Sequence, residues 1–387
     1  MSEKKGKESK DFWKAIEENN SSFLKKNKKQ LILQKNKDNQ TLLHYACIKR
    51  AKLSIIKLLV QNLNINTKDN LGKTALHYAC EKIPTKTVLT MLIKNGANIH
   101  AQDGEDHLPL HIICTRKRIT EKELNLVIQP ETDVNAKDNE NKTPLHYACE
   151  YKLSGEVVME LVQRGAKTNQ ADVQGKVPLH YCCENGGRLE VIDVLTKTTI
   201  SINEKDKEGR SPLHYACIHK LKVECVRLMV ERGAVVNAKD TSKKTPLHYE
   251  CENGIRKEVV ELFLSNGGVA NPKDENGLTP LLILFAKTGQ SEIVKILIEN
   301  GADLALQDQD QLNSLHHACK NAVETVVLEM IVAKGVDINS RDSQGKTPLH
   351  YACENTPRAD SLALLLQKGA DPNAQDAPLH NSSGRWR

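Results

Sequence analysis

Between residues 143 and 165 the apolar positions fall into two helical stripes. Leu145 and Ala148 stand three apart and share one helical face, and about a dozen residues later Val157, Val158, Leu161 and Val162 form a second stripe. Thr143 suits a helix N-cap, and Pro144 suits the first helical position, where a missing N–H costs nothing. Gly165 can take the positive φ that ends the second helix. The pattern predicts a hairpin of two short helices, with Asn169 and Asp172 opening the loop beyond it.

The pattern repeats. Its core string, fullest as TPLHYACE, starts at Thr41, Thr74, Leu108, Thr143, Val177, Ser211, Thr245, Thr279, Asn313 and Thr347, with steps of 33, 34 and 35 residues and then 34 six times. Gly recurs at the second-helix ends 96, 233, 267, 301, 335 and 369, whereas Asn62, Glu131 and Thr199 stand at three such places. Asn62 is expected to take the left-handed region; the other two imply a different helix ending. A hairpin this small cannot bury its own apolar face, so neighbours must stack.

A period of 33–35 residues carrying T-P-L-H-x-A resembles the ankyrin repeat family, and the resemblance covers residues 38–376. It implies an all-α ankyrin-repeat solenoid of stacked helix-turn-helix units joined by turn loops, about ten repeats in all. Residues 1–9 read as a basic N-terminal tail. Residues 10–37 read as a degenerate capping unit, with Phe12, Trp13, Ile16, Phe23, Leu24, Leu31 and Leu33 covering the first core layer. Residues 377–387 begin another unit with Ala377-Pro-Leu-His380 and stop at Arg387. That stub leaves Leu362, Leu364 and Leu365 as an uncovered face, so self-association or an end-on partner is expected at this end.

Charge narrows the functional classes. The formal net charge is +6, and residues 1–37 hold eleven Lys against five acids, so the remaining 350 residues sum to zero. A neutral body argues against nucleic acid as the partner, because phosphate binding scales with clustered cations; the leader reads as a solvated tail. The chain shows no run of the ~18 apolar residues a membrane helix needs, no signal-peptide pattern and no lipidation signal, since residue 2 is Ser. The expectation is an intracellular, cytoplasmic protein, cytoskeleton-associated in one variant, without direct membrane contact.

Columns of His, Tyr and Cys invite chemistry. Nine of the eleven Cys share one place in the repeat (47, 80, 114, 149, 183, 217, 251, 319 and 353). Stacked helices lie ~8–10 Å apart, beyond the ~7 Å Cα separation of a disulfide, so regular cross-linking is excluded. The ankyrin resemblance implies Ala at this place, and Cys then acts as a small filler in a reducing compartment. His146 and Cys149, like their equivalents, share a helical face, yet offer two ligands per layer where zinc wants four. The His is expected to bond the preceding turn and the capping Thr. Seven Tyr between these columns (45, 78, 147, 181, 215, 249 and 351) are read as packing between repeats. No nucleotide-loop, metalloprotease or nucleophile-elbow motif occurs, and a catalytic site needs one unique constellation rather than ten copies. The chain is therefore read as no enzyme, with no cofactor and no metal.

What remains is binding. The resemblance implies a concave surface of turn tips and first helices that holds other proteins. Here the residue before the cap is Lys73, Lys142, Lys176, Arg210, Lys244 and Lys346, a column of like charge along the tips, and Glu81, Glu150, Glu184, Glu252 and Glu354 follow the Cys column. Either the two columns pair with each other or they meet a charged partner. The unit from Thr279 departs most: Leu282 replaces His, Leu284 and Phe285 replace Ala-Cys, and the tips Leu278 and Leu312 are apolar. These leucines either pack internally or form a contact patch. Glu250, at a place otherwise small, must be exposed, paired or protonated. The partner-binding candidates are Lys142, Lys176, Arg210, Lys244, Leu278, Leu282 and Leu312. The function expected is a non-catalytic scaffold or adaptor, with a structural element of a cytoskeletal or axonemal assembly, or a targeting subunit for an enzyme supplied in trans, as alternatives.

Overall fold

Helices of seven to nine residues, such as Pro144–Glu150 and Gly155–Gln163, are too short to persist alone, so their stability comes from packing. The computed structural model describes residues 11–83, 85–198, 202–287, 290–354 and 358–376. The chain forms two compact units, residues 1–201 and 202–387. The tail and the 377–387 stub lie outside the described residues.

The first unit opens with helices at 11–17, Ser21–Lys26 and Lys28–Leu31. Five hairpins follow: Leu42–Ile48 with Leu53–Val60, Ala75–Lys82 with Lys86–Lys94, Pro109–Ile113 with Glu121–Val127, Pro144–Glu150 with Gly155–Gln163, and Pro178–Glu184 with Leu189–Thr198. The second unit holds five more: Pro212–Ile218 with Val223–Glu231, Pro246–Asn253 with Lys257–Ser265, Pro280–Lys287 with Ser291–Glu299, Ser314–Lys320 with Thr325–Ala333, and Pro348–Glu354 with Ala359–Gln367. Within each unit first helices stack on first helices and second on second, the all-α arrangement of a repeat solenoid. Leu145, Ala148, Val157, Val158 and Leu161 are fully buried between layers, while Val162 is half-buried.

The N-terminal helices bury Phe12, Ile16, Leu24 and Leu31, and Trp13 meets Tyr45 edge-on at 4.9 Å. Leu33 is a correction: it is 76% exposed and covers nothing. At the far end Leu364 and Leu365 are buried against the preceding hairpin and Leu362 is half-buried; the exposed aliphatic there is Leu366. Second helices end at Gly residues with φ between 80° and 95°, as the pattern predicts. Asn62 does not adopt positive φ; its side-chain amide instead donates to the Leu58 carbonyl at 2.6 Å. After Val127 the chain leaves through Ile128 in an extended conformation, and Thr199 lies outside the described residues.

The buried His column stitches neighbouring repeats together. His146 Nδ1 accepts the Thr143 backbone N–H at 3.0 Å and lies 2.9 Å from the Thr143 hydroxyl, which leaves Nε2 protonated to donate to the Lys176 carbonyl at 3.1 Å. The capping contact is the expected one. The second contact runs the other way from the expectation, to the turn of the following repeat rather than the preceding one. His44, His77, His214 and His248 repeat both contacts, and His316 accepts the Asn313 backbone N–H at 3.3 Å and donates to the Lys346 carbonyl at 3.2 Å. Burial holds these rings neutral: it lowers His111, His146 and His214 to about 4. Loop asparagines add a second stitch, as Asn135 donates to the Gly165 carbonyl at 2.9 Å and Asn237 to that of Gly267 at 2.7 Å.

Candidate functional site

Nine of the ten turn tips are built on an aspartate, buried in all but the half-buried Asp308; the first tip uses Asn36 in its place. Asp138 Oδ1 accepts the backbone N–H groups of Glu140 and Lys142 at 2.8 and 2.9 Å, while Oδ2 accepts the Tyr147 hydroxyl at 2.7 Å. The same Tyr–Asp bond joins Tyr78 to Asp69, Tyr181 to Asp172, Tyr215 to Asp206, Tyr249 to Asp240 and Tyr351 to Asp342. One turn is thereby pinned to the helix it precedes. Successive tips meet closely: a Cβ at Gly72, whose φ is +72°, would lie 2.7 Å from the Gly104 nitrogen.

On these tips the cationic column sits over the Tyr rings and against the acidic column. In the first unit Lys142 lies 5.0 Å and Lys176 5.3 Å from the centre of the Tyr181 ring, and they pair with Glu150 at 3.3 Å and Glu184 at 2.8 Å. In the second unit Lys244 and Arg210 share the Tyr249 ring at 5.3 and 5.7 Å; Lys244 pairs with Glu252 at 2.7 Å and Arg210 with Glu208. Lys346 and Glu354 pair at 2.6 Å. Glu81 departs from the column and pairs with Lys82.

With this geometry in place, the comparison with known families is decisive. A family model described as ankyrin repeats (3 copies) matches residues 12–103, 82–172, 110–206, 152–240, 199–274, 236–308 and 282–376. The chain belongs to the ankyrin repeat family. No curated protein matches it. Ankyrin repeats make this a protein–protein interaction domain.

In this ankyrin array the four basic candidates are brought together in pairs, Lys142 with Lys176 and Arg210 with Lys244, each pair sharing one ring. The apolar candidates separate. Leu282 and Leu312 are 2% and 3% exposed and pack inside the stack, so they cannot meet a partner as a surface patch; Leu278 alone keeps part of its surface. Without its His, this repeat caps its helix through the Thr279 hydroxyl, which accepts the Leu282 N–H at 3.3 Å. With Ile283 at the Tyr place, Asp274 Oδ2 is buried without a hydrogen-bond partner.

Three polar features of the ankyrin repeats escaped the sequence reading or were left open by it. Glu250 is 1% exposed and paired: both its oxygens meet the Arg256 guanidinium, at 2.9 and 2.5 Å, and that guanidinium also donates to the Leu221 carbonyl. His107 occupies a tip place, with Nδ1 3.4 Å from Asp103 and Nε2 3.4 Å from Asp138. Those two carboxylates raise it to about 9 against the effect of burial. His317 replaces Tyr and holds Asp308 at 2.8 Å. The nine-residue spacing from Asp to the Tyr place was a usable signal for the tip bond.

The arrangement offers little for catalysis. Burial pushes the Cys47 thiol up to about 12 and raises Cys80, Cys114 and Cys149 as well, away from the reactive thiolate. Among the described residues no three His, Cys, Asp or Glu side chains converge as a metal ion requires, and no helix is long and apolar enough to cross a membrane.

Proposed function

We propose that this ankyrin repeat protein is a non-catalytic scaffold or adaptor inside the cell, holding a protein partner against its turn tips and first helices. The observation that carries this reading is the sharing of one Tyr ring by the cations of adjacent repeats, with the Glu column beside them. It presents a regular, charged, rigid face whose members are positioned by buried Asp–Tyr bonds. The recurrent His, Tyr and Cys serve the internal framework, which leaves recognition as the task of the tips. Lys142, Lys176, Arg210, Lys244 and Leu278 are the residues proposed to meet the partner.

Affinity capture from cells followed by mass spectrometry tests this. Lys142→Glu with Lys176→Glu, and separately Arg210→Glu with Lys244→Glu, should release the captured partner. Because these cations are half-buried beside carboxylates and Tyr rings, reversal also costs some stability, and the matching Gln pairs, checked for folding by circular dichroism, should show the same loss of capture to a lesser degree. Capture unchanged in both variants would overturn the tips as the binding face. Sedimentation of the chain with a polymer would favour a structural role, and co-purification of a kinase, phosphatase or ligase a targeting role.

A further inference from the structure

The loops that join first to second helices form an edge distinct from the turn tips, and in the first three repeats that edge is cationic. Lys49, Arg50 and Lys52 stand in the first such loop, Lys82 and Lys86 flank the second, and Arg116, Lys117 and Arg118 stand in the third. Lys49 pairs with Glu17 and Lys82 with Glu81. The other six cations form no ion pair among the described residues, and all but the half-buried Arg116 are exposed. Glu121 and Glu123, beside the third loop, lie in the first turn of that repeat's second helix, where Glu123 is committed to capping Thr120, and Glu18, near the first loop, pairs with Lys14. The next repeat ends the run, since its loop offers Lys152 between Glu150 and Glu156. The cationic stretch is therefore local to three adjacent, directly stacked hairpins.

We propose that this edge binds an extended, Asp/Glu-rich polypeptide segment. The proposal rests on the protein-binding reading above but adds a second surface and the chemistry of its ligand. Stacked helices set the loops ~8–10 Å apart, and an extended chain advances ~3.3 Å per residue, so an acidic residue at about every third position meets one loop after another. The run has no aromatic ring in its loops, which disfavours a single-stranded nucleic acid that would stack its bases. Among the described residues its one exposed large aliphatic is Leu53, too little for the apolar insertion that steadies a peripheral membrane contact.

The test uses the full chain and a labelled oligoglutamate of roughly 12 residues, with oligolysine, a single-stranded DNA and phosphatidylcholine vesicles containing phosphatidylserine as comparators. Oligoglutamate should bind, and should weaken about tenfold or more as salt rises from ~50 to ~300 mM. Arg50→Glu, Lys52→Glu, Arg116→Glu, Lys117→Glu and Arg118→Glu together should abolish that binding, and the corresponding Gln set should weaken it less. The tip variants Lys142→Glu and Lys176→Glu should leave it unchanged. Circular dichroism confirms folding, and the Gln set serves if the Glu set does not fold. Absent oligoglutamate binding, equal binding by the reversed edge, or preference for DNA or vesicles would overturn the proposal. Loss of partner capture with tip variants alone, with oligoglutamate binding intact, speaks to the scaffold face and not to this edge.

Discussion

The Nε2 of His146 and the carbonyl oxygen of Lys176 are 3.1 Å apart although thirty residues separate them, and the ring's other nitrogen is occupied by Thr143. One side chain thus caps its own helix and closes the next turn. His146→Leu, copying what Leu282 does naturally, should leave a buried N–H and a carbonyl without their partner. The expected cost is about 2–3 kcal/mol, read from the urea midpoint. An unchanged midpoint would show that the freed groups find other partners.

Acid should destabilise the chain through the same column. His111, His146 and His214 have folded values of about 4 against an ordinary 6.5, so their neutral forms favour folding above pH ~6.5 and that advantage is lost as pH falls toward 4. Each contributes a slope approaching 1.4 kcal/mol per pH unit within that window. His107, raised to about 9, has the opposite sign: its contribution is complete below its unfolded value and fades as pH rises through 9. Melting temperature against pH should therefore fall on both sides of near-neutral pH, and His107→Gln should flatten the alkaline limb alone.

Glu250 and Arg256 should be destabilising to separate and tolerable to remove together. Arg256→Leu leaves a buried carboxylate unpaired and should cost ~3–5 kcal/mol. Combining it with Glu250→Ala, the residue most repeats carry, should recover most of that loss by chemical denaturation. A double variant no more stable than Arg256→Leu would show that the pair contributes more than mutual neutralisation.

Ile283→Tyr should stabilise. Six repeats satisfy the tip aspartate with a Tyr hydroxyl, and here Asp274 Oδ2 is buried without one. A gain of about 1 kcal/mol is expected from the new bond, and a lowered melting temperature would mean that the ring does not fit beside Leu278.

Thiol reactivity should divide sharply. Cys353 is exposed, whereas Cys47, Cys80, Cys114 and Cys149 are buried and raised. An aromatic disulfide reagent should label Cys353 within the first phase and reach the others only in denaturant; rapid native labelling of Cys80 would show that the stack opens readily.

Much of this was legible in the sequence because each local rule is repeated. Thr-Pro starts, glycine stops and i,i+3 apolar spacing place both helices of a hairpin, and repetition removes ambiguity that one copy would leave. What sequence spacing did not give was direction across layers. His146 faces forward because its ring leaves the helix toward the next turn, which no within-repeat pattern encodes. Leu282 and Leu312 look like surface leucines when aligned to tip and His places, yet the apolar neighbours around them draw them inward. Glu250 could be flagged as anomalous but its partner, six residues on, is identified only by the loop that brings Arg256 back across it.

The bonds of the His column, and those that Asn66, Asn135, Asn203, Asn237, Asn271 and Asn339 donate to the glycine carbonyls of the following repeat, reach toward higher residue numbers. A chain emerging from the ribosome therefore presents each repeat with its helices paired but its His donor idle until about thirty further residues have left the exit tunnel. Each hairpin becomes a completed layer only when its successor arrives. Growth of the array is in this sense a ratchet, in which translation itself supplies the next acceptor and a pause leaves one seam, always the newest, unsealed.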